Sequence, residues 1–168
     1  MTLAYVGIGS NLGEPKAQVS RAFDELSRLP RTRLAGRSSL YRTAPLGHAP
    51  QPDFINAVAE LDTELGAEEL LRELQAIEHR HGRRRSFPNA PRTLDLDLLL
   101  YGDAPLDRPG LVVPHPRMHQ RAFVLQPLLE LAPAAHIPGR GAASACLAAC
   151  ADQKVERKIG RASCRERV

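Results

Sequence analysis

Two aspartates two positions apart, Asp95 and Asp97, interrupt the run Thr93-Leu-Asp-Leu-Asp-Leu-Leu-Leu-Tyr101, which otherwise reads as a buried strand. Alternate residues of a strand share a face, so both carboxylates point one way while Leu94, Leu96 and Leu98 point the other. A rise of roughly 3.3 Å per residue sets the carboxylates about 5–7 Å apart. Two anions that close repel each other unless a cation bridges them or one takes a proton. Mg²⁺ suits the position, because it prefers hard oxygen ligands and commonly completes its shell with substrate phosphates. A wet strand face also carries aspartates with no chemistry, and for an isolated Asp-x-Asp that is the commoner case. Here Arg83, Arg84, Arg85 and Arg92 lie just upstream, cations that suit polyphosphate oxygens and developing phosphoryl charge. Basic loop and acidic pair together point to phosphate chemistry.

The other glycine-rich stretch, Gly7-Ile-Gly-Ser-Asn-Leu-Gly13, has G-x-G-x-x-x-G spacing and no following Gly-Lys-Ser/Thr. It therefore matches neither the dinucleotide fingerprint nor the Walker pattern. A tight strand-to-helix turn is the expectation for Gly7, Gly9 and Gly13, with Asn11 as a cap or turn residue.

The elements that must position these groups follow from periodicity. Residues 3–8 form a short β-rich run. Val19, Ala22, Phe23, Leu26 and Leu29 recur at helical steps behind Pro15, and Pro30 ends that helix. Residues 32–43 read as a second strand and residues 54–63 as a third, with Ile55, Ala57, Ala59 and Leu61 on one face. A helix over residues 67–81 carries the stripe Leu70, Leu71, Leu74 and Ile77, and Gly82 stops it. The strand over 93–101 comes next, then a turn and short strand up to Val113. A last helix spans residues 121–131, with Pro127 expected to bend or split it. The order β-α-β-β-α-β predicts an α+β fold of ferredoxin-like plan, an antiparallel sheet with both helices on one face. Additional C-terminal helices would cover the other face, giving three αβα layers.

At 168 residues the chain fits one domain, expected over residues 1–151. The segment from Asp152 to Val168 has little apolar periodicity and reads as a disordered or non-native tail. Six Lys/Arg against three Asp/Glu in residues 151–168 account for +3 of the formal charge of +4, leaving +1 for the rest. A basic nucleic-acid surface is not indicated, and no apolar run reaches the roughly 20 residues needed to span a bilayer. Cys146, Cys150 and Cys164 lack the partners of a tetrahedral metal site and read as reduced thiols. A soluble cytoplasmic protein, more readily monomer than oligomer, is the expectation.

The ordered blocks Tyr5–Gly13, Ser38–Gly47, Gln51–Thr63, Ala90–Gly102 and Val113–Pro133 resemble the 6-hydroxymethyl-7,8-dihydropterin pyrophosphokinase family, which acts in folate synthesis. Together they cover most of residues 4–138. The resemblance implies ATP as co-substrate, two Mg²⁺ ions on Asp95 and Asp97, and transfer of an intact pyrophosphoryl group to the pterin's hydroxymethyl oxygen, leaving AMP. It implies that Arg83 and Arg92 clamp the triphosphate and transition state, and that Arg85 belongs to a catalytic loop. Gln75, Glu78, Leu98, His115 and Arg121 match positions at the nucleotide. For the pterin it implies a sandwich of Phe54 and Phe123 and an edge contact from Asn56. Thr43, Pro45 and Leu46 match the loop facing the ring. Where many relatives carry a basic and an aromatic residue before the Ala90-Pro-Arg92 triplet, this chain reads Phe87-Pro88-Asn89. The proline-punctuated stretches 43–52 and 83–91 suit lids over bound substrates. An RNA-binding module on the same plan is disfavoured, since carboxylates stand where such modules stack bases on exposed aromatics.

Overall fold

The computed structural model describes residues 1–11, 14–44, 53–82 and 94–158. Its elements are β1 (Thr2–Ser10), α1 (Pro15–Ser27), β2 (Thr32–Arg37), β3 (Tyr41–Thr43), β4 (Phe54–Thr63), α2 (Ala67–Arg80) and β5 (Asp95–Tyr101). Then follow β6 (Leu106–Arg108), β7 (Leu111–Val113), a short 3-10 turn at Met118–Gln120, α3 (Ala122–Leu131), β8 (His136–Ile137), β9 (Gly141–Ala142), α4 (Ala143–Ala148) and β10 (Glu156–Arg157). The main sheet runs β10-β3-β4-β1-β5, with β2 also paired to β4. All of its pairings are antiparallel, so the chain has an α+β fold.

The sheet divides two cores. Ala4, Val6 and Ile8 of β1, Ile55, Ala57, Ala59 and Leu61 of β4, and Leu94, Leu96 and Leu98 around β5 pack with α1 and α2. Fully buried Phe23, Leu26, Leu70, Leu74 and Ile77 supply the helical side of that core, each worth about 1.5–3 kcal/mol of apolar burial. Val58, Leu99 and Leu100 instead join Met118, Val124, Leu125 and Leu128 in a second core under α3 and α4. A shift in register between Tyr5 and Val6 accompanies the change of side along β5.

Three departures from sequence expectation have clear causes. The single strand expected over residues 32–43 is broken at Ser38–Leu40. Ser38 Oγ accepts the Val58 N–H at 2.8 Å, and the Ser39 N–H turns away to the Glu130 carboxylate at 3.0 Å. Side-chain oxygens here compete with the ladder. Pro127 lies inside α3 without splitting it; it withholds the N–H that an uninterrupted helix would give to the Phe123 carbonyl. The segment expected to fray from Asp152 instead adds β10 to the sheet edge, Glu156 opposite Arg42 and Arg157 opposite Tyr41. Residues 159–168 lie outside the described residues. No described helix is long and apolar enough to cross a membrane.

Candidate active site

Strand parity settles where the aspartates point. Across β1 and β5, Gly9 pairs with Asp95 and Gly7 with Asp97. Across β1 and β4, Gly9 pairs with Asn56 and Gly7 with Val58. Directly paired residues share a face, and Val58 belongs to the core under α3. Asp95 and Asp97 therefore stand together on the α3 side, while Leu94, Leu96 and Leu98 fill the core against α1 and α2. Phe54 and Asn56 of β4 share the side of the aspartates by the same alternation.

Between these two groups the central strand presents only hydrogen. Gly7 and Gly9 lie within β1, not in the turn after it, and both glycines fall on the side of the aspartates. The result is a lane at Gly9 with Asn56 on one flank and Asp95 on the other, two strand spacings or roughly 10 Å apart at the backbone, while the Leu99 side chain lies over Gly7. A methyl group built on Gly9 would come 3.1 Å from Asn56 Oδ1, so the amide already borders the lane at close range.

Asn56 is buried and its orientation is fixed. Its Nδ2 donates to Thr43 Oγ1 at 3.0 Å, with Thr43 opposite Phe54 in the β3–β4 pairing. With Nδ2 on Thr43, Asn56 Oδ1 faces Gly9. Thr43 is held through its strand: the neighbouring Tyr41 donates its hydroxyl to Glu130 Oε1 at 2.8 Å. The same carboxylate accepts Ser39 N–H and Ser39 Oγ–H at 3.0 Å and 2.9 Å. Burial and this carboxylate push the Tyr41 phenol well above its ordinary range, so it acts as a fixed donor at any physiological pH.

The far flank is basic. His115 follows a cis Val113–Pro114 bond, gives its N–H to the Leu99 carbonyl at 3.1 Å, and accepts the Arg117 N–H on Nδ1 at 3.1 Å. Partial burial and the charge of Arg121 hold His115 below the usual imidazole range, although Asp95 pulls it upward. His115 thus lies within electrostatic reach of both Arg121 and Asp95. The Arg121 guanidinium lies 5.6 Å from the Phe123 ring centroid, and Arg121 and Phe123 flank the first residue of α3.

Two residues expected at a nucleotide have other work for their side chains. Leu98 is 5% exposed and packs in the α1/α2 core, because it has the opposite strand parity to Asp97; only its backbone reaches the site edge. Glu78 is buried and accepts the Leu96 N–H at 2.7 Å. Since β5 ends the sheet, that bond fills an outward-facing donor that no neighbouring strand takes. Gln75 lies exposed on α2. Pro45, Leu46, Arg83, Arg85, Arg92 and both expected lid stretches beyond Ala44 and Gly82 lie outside the described residues.

Asp95 and Asp97 are the side chains suited to a divalent cation. Among the described residues no cluster of three His, Cys, Asp or Glu forms a self-sufficient metal cage. Two hard carboxylates on one face of β5, across from glycines of β1, fit Mg²⁺, which leaves most of its shell for water and phosphate oxygens. Sequence reasoning missed Glu130 and Gln153 as supports of this site. Neither carries a local signal, since each contacts residues more than thirty positions away. Gly7 and Gly9 did carry one: glycines at period two inside a strand mark close approach of a ligand or backbone.

Comparison with known proteins bears on family and fold. The family model "7,8-dihydro-6-hydroxymethylpterin-pyrophosphokinase (HPPK)" matches residues 5–133. A 2-amino-4-hydroxy-6-hydroxymethyldihydropteridine pyrophosphokinase of Pseudomonas aeruginosa is 51% identical over 156 residues, 93% of this chain and 96% of the relative. The Haemophilus influenzae protein of the same name is 47% identical over 79% of this chain and 82% of its own. Among solved structures, an HPPK-DHPS in complex with substrates superposes with TM-score 0.68 at 12% identity over 88% of this chain. Wild-type Plasmodium falciparum HPPK-DHPS with SDX-DHP gives 0.66 at 12% identity over 100% of this chain. This chain spans only 43% and 45% of those two longer proteins, and at that identity they speak to the fold. On the extent of the family match and the identity to full-length relatives, the chain belongs to the 7,8-dihydro-6-hydroxymethylpterin-pyrophosphokinase family.

Proposed function

We propose that this chain transfers the pyrophosphoryl group of ATP to the hydroxymethyl oxygen of 6-hydroxymethyl-7,8-dihydropterin. A bond forms between that oxygen and the β-phosphorus, and the bond from the β-phosphorus to the α,β-bridging oxygen breaks. AMP departs with the electron pair, and the hydroxyl proton is lost. The observation that carries the reading is the glycine lane with Asn56 on one flank and Asp95 and Asp97 on the other, in a member of this family.

Each flank has its part. The lane accepts a flat ring because nothing rises from Gly9, and Asn56 meets a heterocycle's donor–acceptor edge with an amide already oriented by Thr43. Phe54 and Phe123 supply aromatic faces. Asp95 and Asp97 would hold two Mg²⁺, which when bound neutralise the triphosphate and the charge that builds on the departing AMP. His115, held below the ordinary imidazole range by burial and by Arg121, offers a hydrogen bond to a phosphate oxygen. Arg121 offers charge-assisted bonds from the same side. Arg83, Arg85 and Arg92 complete the phosphate clamp in this reading, and Gln75 borders the nucleotide. The sheet order supports a ferredoxin-like plan, and we read the chain as a cytoplasmic monomer acting on small molecules without nucleic acid or membrane.

The deciding experiment follows AMP from ATP with purified protein, Mg²⁺ and hydroxymethyl-dihydropterin. AMP should appear only when all three are supplied. ADP as product, or turnover that ignores the pterin, would end this reading.

A further inference from the structure

The segment after Asp152, unpromising as sequence, takes hold of both walls of the site. The first grip is on α3. That helix starts at Ala122 with Arg121 in the capping position, and no local side chain caps it. Gln153 does so from thirty residues downstream: its Oε1 accepts the Ala122 N–H at 2.9 Å, and its Nε2 donates to the Gln120 carbonyl at 2.8 Å. One amide thus bridges the backbone on either side of Arg121. The two bonds require opposite ends of the amide, so its orientation is determined. Arg121 and Phe123 leave the backbone within one residue of this clamp.

The second grip is on β3, a strand of three residues that carries Thr43. Glu156 and Arg157 pair with Arg42 and Tyr41, and the Lys158 N–H donates to the Leu40 carbonyl at 2.8 Å. Arg42 also pairs with the Glu156 carboxylate. The Arg157 guanidinium donates to Ser39 Oγ from Nε at 3.2 Å and from Nη2 at 2.9 Å. It lies 3.7 Å from Glu130, the carboxylate that already binds Ser39 and Tyr41. A strand of three residues has few ladder bonds of its own, and Thr43 must stay in place for Asn56 to keep its hydrogen bond.

We propose that Gln153 and Glu156–Lys158 form a positioning strap that fixes the α3 wall and the β3 wall relative to each other and thereby sets affinity for the pterin. Its residues touch no reacting atom. The choice of substrate rests on the pyrophosphokinase reading; the mechanical role does not. The test compares Gln153→Ala, Arg157→Ala and the double variant with unaltered protein, and uses Lys154→Ala as a control in the same exposed segment. Each single variant should raise the pterin KM about fivefold to tenfold, the scale of a lost helix cap or a lost charged hydrogen bond, with kcat held within about twofold. Arg157→Lys, which keeps the charge beside Glu130, should recover part of that loss, and Lys154→Ala should change nothing. Amide hydrogen exchange should accelerate at residues 122–125 in Gln153→Ala and at residues 41–43 in Arg157→Ala. A merely stabilising tail would lower Tm and leave the pterin KM untouched, and that result would overturn the proposal. So would unchanged exchange at both walls. If the unaltered protein makes no pterin-dependent AMP, the pyrophosphokinase reading fails, and the exchange data alone decide whether the strap grips.

Discussion

Replacing Gly9 by alanine isolates the lane from everything around it. The new Cβ would lie 3.1 Å from Asn56 Oδ1, closer than a methyl and an amide oxygen normally approach, so Asn56 must yield by a few tenths of an ångström. Asn56 cannot do so freely, because its Nδ2 is tied to Thr43 Oγ1 at 3.0 Å. Stretching or losing one neutral hydrogen bond costs about 0.5–1.5 kcal/mol, which is roughly a twofold to thirteenfold weakening of pterin binding. The methyl also rises from the lane's floor, which adds to the effect. Stability should hardly change: β1 has an ordinary backbone at this position, and reduced freedom of the unfolded chain returns about 0.4–1 kcal/mol. Gly7→Ala is the internal comparison, since its methyl meets the Leu99 side chain at 3.4 Å, ordinary contact, and should weaken pterin binding less. The assay is steady-state AMP production with pterin and ATP varied in turn, with Tm measured in parallel. A raised pterin KM at unchanged ATP KM and Tm is expected from Gly9→Ala. An unchanged pterin KM would refute the lane as the ring's seat.

Asp97→Ala should lower kcat by orders of magnitude while leaving Tm and the circular dichroism spectrum intact, because the side chain faces the site and not the α1/α2 core; retained turnover would remove the metal assignment. Thr43→Val keeps the shape of the side chain but leaves Asn56 Nδ2 without its acceptor, so the pterin KM should rise about fivefold or more at constant ATP KM. Glu69 accepts the Gly66 N–H at 3.0 Å at the start of α2, and that bond and the charge of Arg31 hold its carboxyl below the ordinary range. A carboxyl with a lowered folded pKa stabilises above its unfolded value and loses that contribution as pH falls. Glu69→Gln should therefore lower Tm at pH 7, and the difference should shrink as pH drops through about 4; a gap that persists there would assign the effect to packing.

The parts of this molecule that sequence reveals are those governed by apolar period. Residues 54–63 alternate apolar groups strictly enough that β4 occupies that stretch to the residue, and the shared face of Asp95 and Asp97 follows from parity alone. The break at Ser38–Leu40 was hidden because its cause, Glu130, sits about ninety residues away. Strand β10 was hidden because it is joined to the sheet through backbone and charged groups, with no buried apolar residue in it. Leu98 and Glu78, which the resemblance sets at the nucleotide, carry structural roles that no local pattern announces: the Leu98 side chain packs in the α1/α2 core and Glu78 accepts the Leu96 N–H. The glycines at 7 and 9 were visible but misassigned to a turn, since only the pairing with Asn56 and Asp95 shows what their missing side chains leave open.

The bond from Glu78 to the Leu96 N–H also guards alignment. A slip of β5 by a single residue along β1 would exchange its two sides, driving both carboxylates among the leucines of α1 and α2 and turning Leu94, Leu96 and Leu98 toward the α3 side of the sheet. An outermost strand has a neighbour on one side only, so hydrophobic pattern must be seconded by something beyond the sheet. Glu78, anchored on a helix that cannot shift with the strand, is a fixed index mark against which β5 is read. Its loss would leave that donor without its acceptor and the alignment of β5 resting on hydrophobic pattern alone.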